Sequence, residues 1–276
     1  MRRLPSFSGA ALALGLVFLY LPMAVLVAYS FNVSSLVTVW AGFSTKWYGE
    51  LFRDEQILAA VWTSFKVAFF AAGMAVCLGT PAALAMTRFG RFRGRTMLAS
   101  MVTAPLVMPE VITGLSLLLL FVQMAALTGW PADRGMVTIW IAHTTFCSAY
   151  VAVVVAARLR EVDRSIEEAA MDLGSPPAKT FFTVTLPIIS PALIAGWLLA
   201  FTLSLDDLVV ASFVSGPGAN TLPMVVFSSV RLGVSPKINA LATLIILAVS
   251  LATLVAWYLM RRGEKKRRAG LVRTGD

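Results

Sequence analysis

The sequence contains few charged residues for its length. Only 13% of the 276 residues are charged, 58% are hydrophobic, and the mean hydropathy is +0.81. A soluble domain has about 25% charged and roughly 45–50% apolar residues, so this chain lacks the charge to cover a soluble surface. Disordered chains combine low hydrophobicity with high charge, which is the opposite composition. The composition therefore predicts an integral membrane protein.

Cysteine and histidine are also scarce. The two cysteines, Cys77 and Cys147, both fall in apolar runs and match neither an extracellular disulfide framework nor a metal-ligand spacing. The only histidine, His143, also lies in an apolar run. We expect it to pack, or to form a hydrogen bond between helices. The sequence therefore predicts no metal site.

Motifs for catalysis and for nucleotide hydrolysis are missing from the sequence as well. No G-x-x-x-x-G-K-[ST] occurs, and the basic segment 90–96 has its glycines at the wrong spacing. A single intramembrane histidine cannot build a Ser/His/Asp or Cys/His arrangement. We expect no catalytic residue and no cofactor bound by this chain, so uphill transport would need a partner or an ion gradient.

Long apolar runs, in contrast, are plentiful. A membrane-spanning helix needs about 20 largely apolar residues. Six stretches meet this length, at about 9–31, 57–87, 98–127, 136–157, 187–214 and 239–260. The predicted fold is an all-α integral membrane protein with six transmembrane helices, forming a single permease domain over 1–276.

The basic residues indicate the orientation of these spans. If the N-terminus is cytoplasmic, 17 of the 23 Lys and Arg residues fall on the inside and five on the outside. Because basic loops stay in the cytoplasm, both termini are predicted to be cytoplasmic. Because most basic residues mark the cytoplasmic side of the spans, the net charge of +9 does not indicate a nucleic-acid partner. The basic run 261–268 is interpreted as an anchor at the lipid surface after the last span.

Three carboxylates lie inside the predicted spans: Glu110, Asp206 and Asp207. Each costs about 2.5–3.5 kcal/mol at the centre of a spanning helix, so such residues are usually functional or paired. Pro105 and Pro109 interrupt the third span, and Glu110 then either faces a cavity or pairs beside a proline kink.

In a continuous fifth span, Asp206 and Asp207 point about 100° apart. Asp207 shares its face with a small and polar stripe formed by Gly196, Ala200, Ser204, Ala211 and Ser215. This favours Asp207 as the residue of a substrate pathway and Asp206 as a pairing or gating residue. The alternative is that either one bonds to a neighbouring helix or to another subunit.

The segment 158–186 between spans four and five has a pattern of its own. Ser165 and Glu168 form a capping-box pattern that predicts the start of a short helix. Gly174 predicts its end, and a second short helix is expected from Ala178 to Thr185. The exposed apolar residues of this segment would need a protein partner or the membrane face.

The same segment resembles a known motif. Glu168-Ala169-Ala170-x-x-x-Gly174 followed by Val184-x-Leu186-Pro187 resembles the EAA motif of binding-protein-dependent (type I) ABC importer permeases, which usually have Ile at the position of Val184. The resemblance implies that this segment contains a coupling helix that docks on a cytoplasmic ATPase. The coupling residues it implies are Glu168, Ala169, Ala170, Gly174, Leu186 and Pro187.

The resemblance extends over nearly the whole chain. The stretches 36–48, 104–116, 129–135 and 203–218 resemble the polyamine branch, and within it the second permease subunits of bacterial putrescine importers. Glu110 stands where close relatives are expected to have Asp. The resemblance implies a bacterial inner-membrane heterodimer with a second permease, two ATPase subunits that use ATP and Mg, and a periplasmic polyamine-binding protein.

Two classes of function follow from the sequence. The first is a permease subunit that forms half of the pathway of an ATP-driven putrescine or spermidine importer. The alternative is a self-sufficient secondary transporter or cation channel that uses the intramembrane carboxylates as a relay. Secondary transporters usually contain paired structural repeats, and no convincing repeat is found in the six spans. The EAA-type segment would have no role in this alternative.

Overall fold

The structure is a computed structural model that describes residues 6–36, 39–232 and 235–273. Arg2 and Arg3, which support the predicted orientation, lie outside the described residues. The backbone of the C-terminal basic run is helical, but the side chains of residues 262–268 lie outside the description.

The described residues form helices joined by short connections. These helices are α1 (Ser6–Tyr29), α2 (Lys46–Leu51), α3 (Glu55–Arg88), α4 (Arg95–Val107), α5 (Glu110–Thr128), α6 (Met136–Glu161), α7 (Arg164–Asp172), α8 (Pro177–Thr180), α9 (Leu186–Asp206), α10 (Val209–Val214), α11 (Leu222–Leu232) and α12 (Pro236–Arg273). A π-helical turn, Phe181–Thr185, joins α8 to α9. Within these ranges there is no β-strand, and Asn32 and Phe43 form an isolated antiparallel bridge.

Six stretches of helix in the described chain are long and apolar enough to span a membrane, which confirms the predicted number. They are Phe7–Tyr29, Glu55–Arg88, Glu110–Thr128, Met136–Glu161, Pro177–Asp206 and Pro236–Val255.

The third predicted span, 98–127, is two helices rather than one. Helix α4 ends at Val107, Met108 has an extended backbone, and α5 starts at Glu110. Pro109 favours this break, because its ring disfavours the α conformation in the preceding residue, and Met108 has φ −71° and ψ 137°. The predicted interruption of this span is therefore confirmed, and the stretch long and apolar enough to span a membrane is Glu110–Thr128, without α4.

The fifth predicted span, 187–214, is wrong at its C-terminal end, whereas α9 starts at Leu186 as predicted. Helix α9 ends at Asp206, because Asp207 has φ −66° and ψ 125°, and α10 follows as a separate helix of six residues. The predicted helix Ala178–Thr185 is present, as α8 and the π-helical turn, but no break separates it from α9. Helix α8, the π-helical turn and α9 form one continuous helical stretch from Pro177 to Asp206.

The structure divides into two compact units. The first contains residues 1–55 and 228–276, in which α12 packs against α1 and α2. Its contacts include a hydrogen bond of 2.6 Å from the Trp47 indole N–H to the carbonyl of Asn32. The Lys237 ammonium and the Asp54 carboxylate form an ion pair at 3.1 Å.

The second unit, residues 56–227, is built around α6. Helix α6 packs on α9, and a buried cluster of mostly small residues lies between α3, α6 and α9. This cluster includes Ala72, Ala75, Ala83, Cys147, Val151, Val155, Ile189 and Ala200. Small residues let helix backbones approach closely in a membrane, which explains this tight packing. Helix α10 packs on α5 and on the first half of α6.

Candidate functional site

The three intramembrane carboxylates predicted from the sequence all line one cavity of the second unit. Its volume is about 580 Å³, which is within the usual size range of small-molecule sites. The cavity lies at the two helix breaks, between the end of α4, the start of α5, the end of α9 and the start of α10. Its lining includes Pro105, Leu106, Pro109, Glu110, Thr113, Phe146, Tyr150, Leu203, Asp206 and Asp207.

Helix ends of both polarities line this cavity, so its negative charge comes from its carboxylates. The C-terminal ends of α4 and α9 both contribute to its lining. The last carbonyls of a helix have no partner within the helix and carry a partial negative charge, whereas the N-terminal ends of α5 and α10, which also line the cavity, carry a partial positive charge. Glu110 is the first residue of α5 and Asp206 is the last of α9, and both are exposed. In the described part of the chain, no basic side chain lies within ion-pairing distance of either carboxylate. The cavity is therefore suited to a cation.

Asp207, in contrast, is buried and has several partners. Its Oδ1 accepts a hydrogen bond of 3.3 Å from the backbone N–H of Val210, and its Oδ2 accepts one of 2.7 Å from that of Ala211. These N–H groups belong to the first turn of α10 and would otherwise lack partners. Asp207 thus caps α10 from within the helix break.

His143 of α6 lies against this cap. Its Nε2 lies 3.1 Å from Oδ2 of Asp207 without forming a hydrogen bond. Its Nδ1 is 2.7 Å from the hydroxyl oxygen of Ser204. His143 and Ser204 are both buried. The prediction of a helix–helix hydrogen bond for His143 is confirmed.

The structure differs from the continuous helix that the sequence predicts around Asp206 and Asp207. The prediction treated both as parts of a continuous helix, whereas the helix ends between them. Of the predicted polar stripe, Gly196, Ala200 and Ser204 are buried inside the second unit. The Asp206 carboxylate is exposed to the cavity, whereas the Asp207 carboxylate already has hydrogen-bond partners.

The predicted coupling residues lie elsewhere, on and after α7. Glu168 and Ala169 are exposed on α7, Ala170 is half-buried, and Gly174 follows the helix. Leu186 and Pro187 open α9. The stretch from Leu186 to Asp206 is 21 residues, or about 30 Å of helix, so these residues and the cavity are at opposite ends of α9.

Both ends of α7 have identifiable caps. The N-cap is Asp163 rather than the predicted Ser165, and its carboxylate accepts a hydrogen bond of 3.0 Å from the Ser165 backbone N–H. This hydrogen bond lowers the pKa of Asp163 below its usual range. At the other end Gly174 has φ +89°, and hydrogen bonds from Gly174 to Met171 and from Ser175 to Ala170 form a Schellman motif. The predicted end of the helix is therefore confirmed.

Sequence reasoning missed several residues of both regions. Phe146 and Tyr150 of α6 line the cavity beside the carboxylates, and an aromatic face can stabilise a cation. Their spacing of four residues on one apolar helix predicts that the two rings lie on the same face of that helix. Glu167, next to the predicted Glu168, forms an ion pair with Arg88 of α3 at 3.0 Å. No pattern in the sequence links these two residues.

Comparison with known proteins places this chain among transport permeases. Residues 75–269 match the family described as binding-protein-dependent transport system inner membrane component. The chain is 69% identical to the putrescine transport system permease protein PotI of Escherichia coli strain K12, over 93% of this chain and 91% of that protein. It is 39% identical to the spermidine/putrescine transport system permease protein PotC of the same strain, over 93% of this chain and 94% of that protein.

The fold is similar to a solved transporter structure. A chain in the crystal structure of a bacterial ABC transporter involved in the import of the acidic polysaccharide alginate matches with a TM-score of 0.72. The match covers 95% of this chain and 99% of that chain, at 15% sequence identity, and shows the fold alone. This chain belongs to the family of binding-protein-dependent transport system inner membrane components.

Proposed function

We propose that this chain is a permease subunit of an ATP-driven importer of polyamines, with putrescine as the first candidate substrate. The relatives that support the substrate are putrescine and spermidine/putrescine permeases, at 69% and 39% identity. The fold alone would not support it, because a similar fold occurs in a transporter of an acidic polysaccharide.

The observation that carries the proposal is the acidic cavity at the two helix breaks. Putrescine and spermidine carry two or more ammonium groups at neutral pH. Two unpaired carboxylates can replace the water lost by such a cation, and the cavity would repel an anion. Similar breaks in other transporters bring helix ends to the substrate.

Within this proposal the carboxylates have different roles. Asp206 and Glu110 contact the ammonium groups, since both are exposed in the cavity and have no basic neighbour among the described residues. Phe146 and Tyr150 contact the methylene chain or an ammonium group through their ring faces. Asp207 holds α10 in place and does not contact the substrate directly, which reverses the roles predicted from the sequence.

The proposed assembly follows the family. The chain pairs with a second permease in the bacterial inner membrane, with both termini in the cytoplasm. A periplasmic binding protein delivers the polyamine, and two cytoplasmic ATPase subunits bind ATP and Mg, since this chain has no nucleotide-binding motif. Helix α7 is the coupling helix, and it contacts the ATPase through Glu168, Ala169 and Ala170. The apolar side chains on and directly after α7 are exposed: Ile166 by 46%, Met171 by 40% and Leu173 by 90%. An exposed apolar surface of this kind needs a partner.

The proposal is tested by replacing Asp206 with Asn in the assembled importer. We expect the KM for putrescine uptake to rise roughly tenfold, because a charge-assisted hydrogen bond contributes about 1.5–3 kcal/mol. Asp133→Asn is the matched control, since Asp133 is exposed outside the cavity lining. Equal KM values for the two variants at equal membrane levels would contradict the proposed site.

A further inference from the structure

A network of polar contacts around Glu167 joins three helices at the end of the second unit opposite the cavity. Glu167 is the fourth residue of α7, and Arg88 is the last residue of α3. The Arg88 Nε lies 3.0 Å from Oε2 and 3.2 Å from Oε1 of Glu167. The Thr185 hydroxyl donates a hydrogen bond of 3.1 Å to the same Oε1, directly before α9 begins. One carboxylate therefore contacts α3 and the start of α9 at once.

This network is shielded from solvent, unlike the rest of α7. The side chains of Arg88 and Glu167 are 12% and 15% exposed, and Thr185 is buried. No residue of α7 is buried, and its apolar residue Ile166 is 46% exposed. Helix α7 is thus attached by a partly buried ion pair and its hydrogen bonds, with little apolar packing. Ion pairs in such a setting are screened much less than surface pairs.

Further contacts from two arginines strengthen the attachment. The Arg88 Nη2 donates to the carbonyl of Val162, just before α7, at 3.2 Å. The Arg164 guanidinium donates to the carbonyl of Thr87. The C-terminal turn of α3 is therefore bound to both the first turn of α7 and the connection that precedes it.

The π-helical turn Phe181–Thr185 provides the third connection. Pro187 has no N–H to donate to the preceding turn, and a wider turn at this point accommodates the missing hydrogen bond. Turns of this type are rare in α-helices and occur frequently at functional sites. Thr185 at its end is the contact point of Glu167, and α9 then runs without interruption to Asp206 at the cavity.

We infer that Glu167 is a positioning residue that transmits displacement of α7 to α9 and so links the partner ATPase to the acidic cavity. The inference rests on the proposed function, in which α7 is the coupling helix. Glu167 thus connects α7 to α9 mechanically but does not itself contact the ATPase. A movement of α7 displaces the Thr185 end of α9 through the shared carboxylate, and α9 displaces Asp206 at its other end.

The test measures how many ATP molecules the complete importer hydrolyses per putrescine taken up. The complete importer, in proteoliposomes, contains this chain, the second permease, the ATPase subunits and the binding protein. For Glu167→Leu we expect the ratio to rise roughly fivefold or more, the lower range of allosteric coupling, while ATP hydrolysis continues. Glu167→Gln, which still accepts hydrogen bonds from Arg88 and Thr185, restores part of the coupling.

Two further variants separate coupling from folding. Glu167→Leu combined with Arg88→Met removes both charges, leaves neither one unpaired, and is used if Glu167→Leu fails to assemble. We expect this double variant to assemble and to remain uncoupled. Glu161→Leu is the matched control, because it removes the exposed ion pair between Glu161 and Arg158, and its ratio should equal that of the wild type.

The outcomes that overturn the inference are distinct from those that overturn the proposed function. A wild-type ratio in the assembled double variant overturns the inference alone, as does an equal rise in Glu161→Leu. Absence of ATP-driven putrescine uptake by the wild-type complex overturns the proposed function, and the inference fails with it.

Discussion

At the scale of single residues, the adjacent carboxylates Asp206 and Asp207 have opposite environments. Asp207 is buried with two backbone N–H donors and the His143 imidazole, whereas Asp206 is exposed to the cavity. A buried carboxylate with several partners is costly to remove, because its removal leaves these groups without partners. The two residues should therefore respond differently to substitution.

Replacing Asp207 with Ala is expected to destabilise the protein by roughly 3 kcal/mol, the order of breaking a buried pair. The thermal unfolding midpoint in lipid nanodiscs should fall accordingly. Asp206→Ala serves as the control, and its midpoint should stay close to that of the wild type. Equal midpoints for the two variants would show that Asp207 does not hold the helix break together.

The sequence predicted part of this arrangement. It identified Glu110, Asp206 and Asp207 as the carboxylates within the spans, and His143 as a bond between helices. It could not predict which aspartate is free, because that depends on the extended backbone of Asp207, which turns the chain out of the helix. Asp–Asp is compatible with a continuous helix. The two backbone partners of Asp207 are local but form only once the helix breaks, and the third partner, His143, is brought near by folding.

At the scale of helices, the breaks between helices and the close packing of one helix on another determine the architecture. Pro109 separates α4 from α5 and creates the cavity edge at Glu110, and this break was readable from the proline. Gly174 similarly marked the end of α7. The capping-box pattern predicts the start of α7 two residues late, because Asp163 and Ser165 are both good caps and only the backbone geometry distinguishes them.

The close approach of α3 and α6 depends on Gly79. A Cβ at this position would lie 2.8 Å from the carbonyl oxygen of Ser148 and 3.0 Å from the backbone N of Ala152. These are backbone atoms, so the helices themselves would have to separate. Gly73 lies on the same helix, and a Cβ there would have no neighbouring atom within 4 Å.

Gly79→Ala should therefore destabilise the protein by about 1–3 kcal/mol, as overpacking in a close-packed interior does. Gly73→Ala is the matched control and should be neutral or slightly stabilising, since alanine favours a helix. Thermal unfolding in detergent or nanodiscs compares the two variants. A lower midpoint for Gly73→Ala than for Gly79→Ala would contradict the proposed packing of α3 on α6.

At the scale of the whole molecule, the chain has the composition and helices of a membrane subunit that needs partners. Helix α1 has no buried residue in its apolar window, and its side chains Phe7 and Phe18 are 82% and 84% exposed. Lipid or a second permease is the environment that such a helix requires. The composition and apolar runs predicted this class and the six spans, but subunit pairing cannot be read from the hydropathy of one chain.

The most direct test of the account is uptake of putrescine into proteoliposomes by purified components. We expect uptake to require this chain, a second permease, the ATPase subunits with ATP and Mg, and the binding protein, and we expect omission of the ATPase to abolish it. Uptake by this chain alone, driven by an ion gradient and without ATP, would contradict the account and support a self-sufficient transporter or channel.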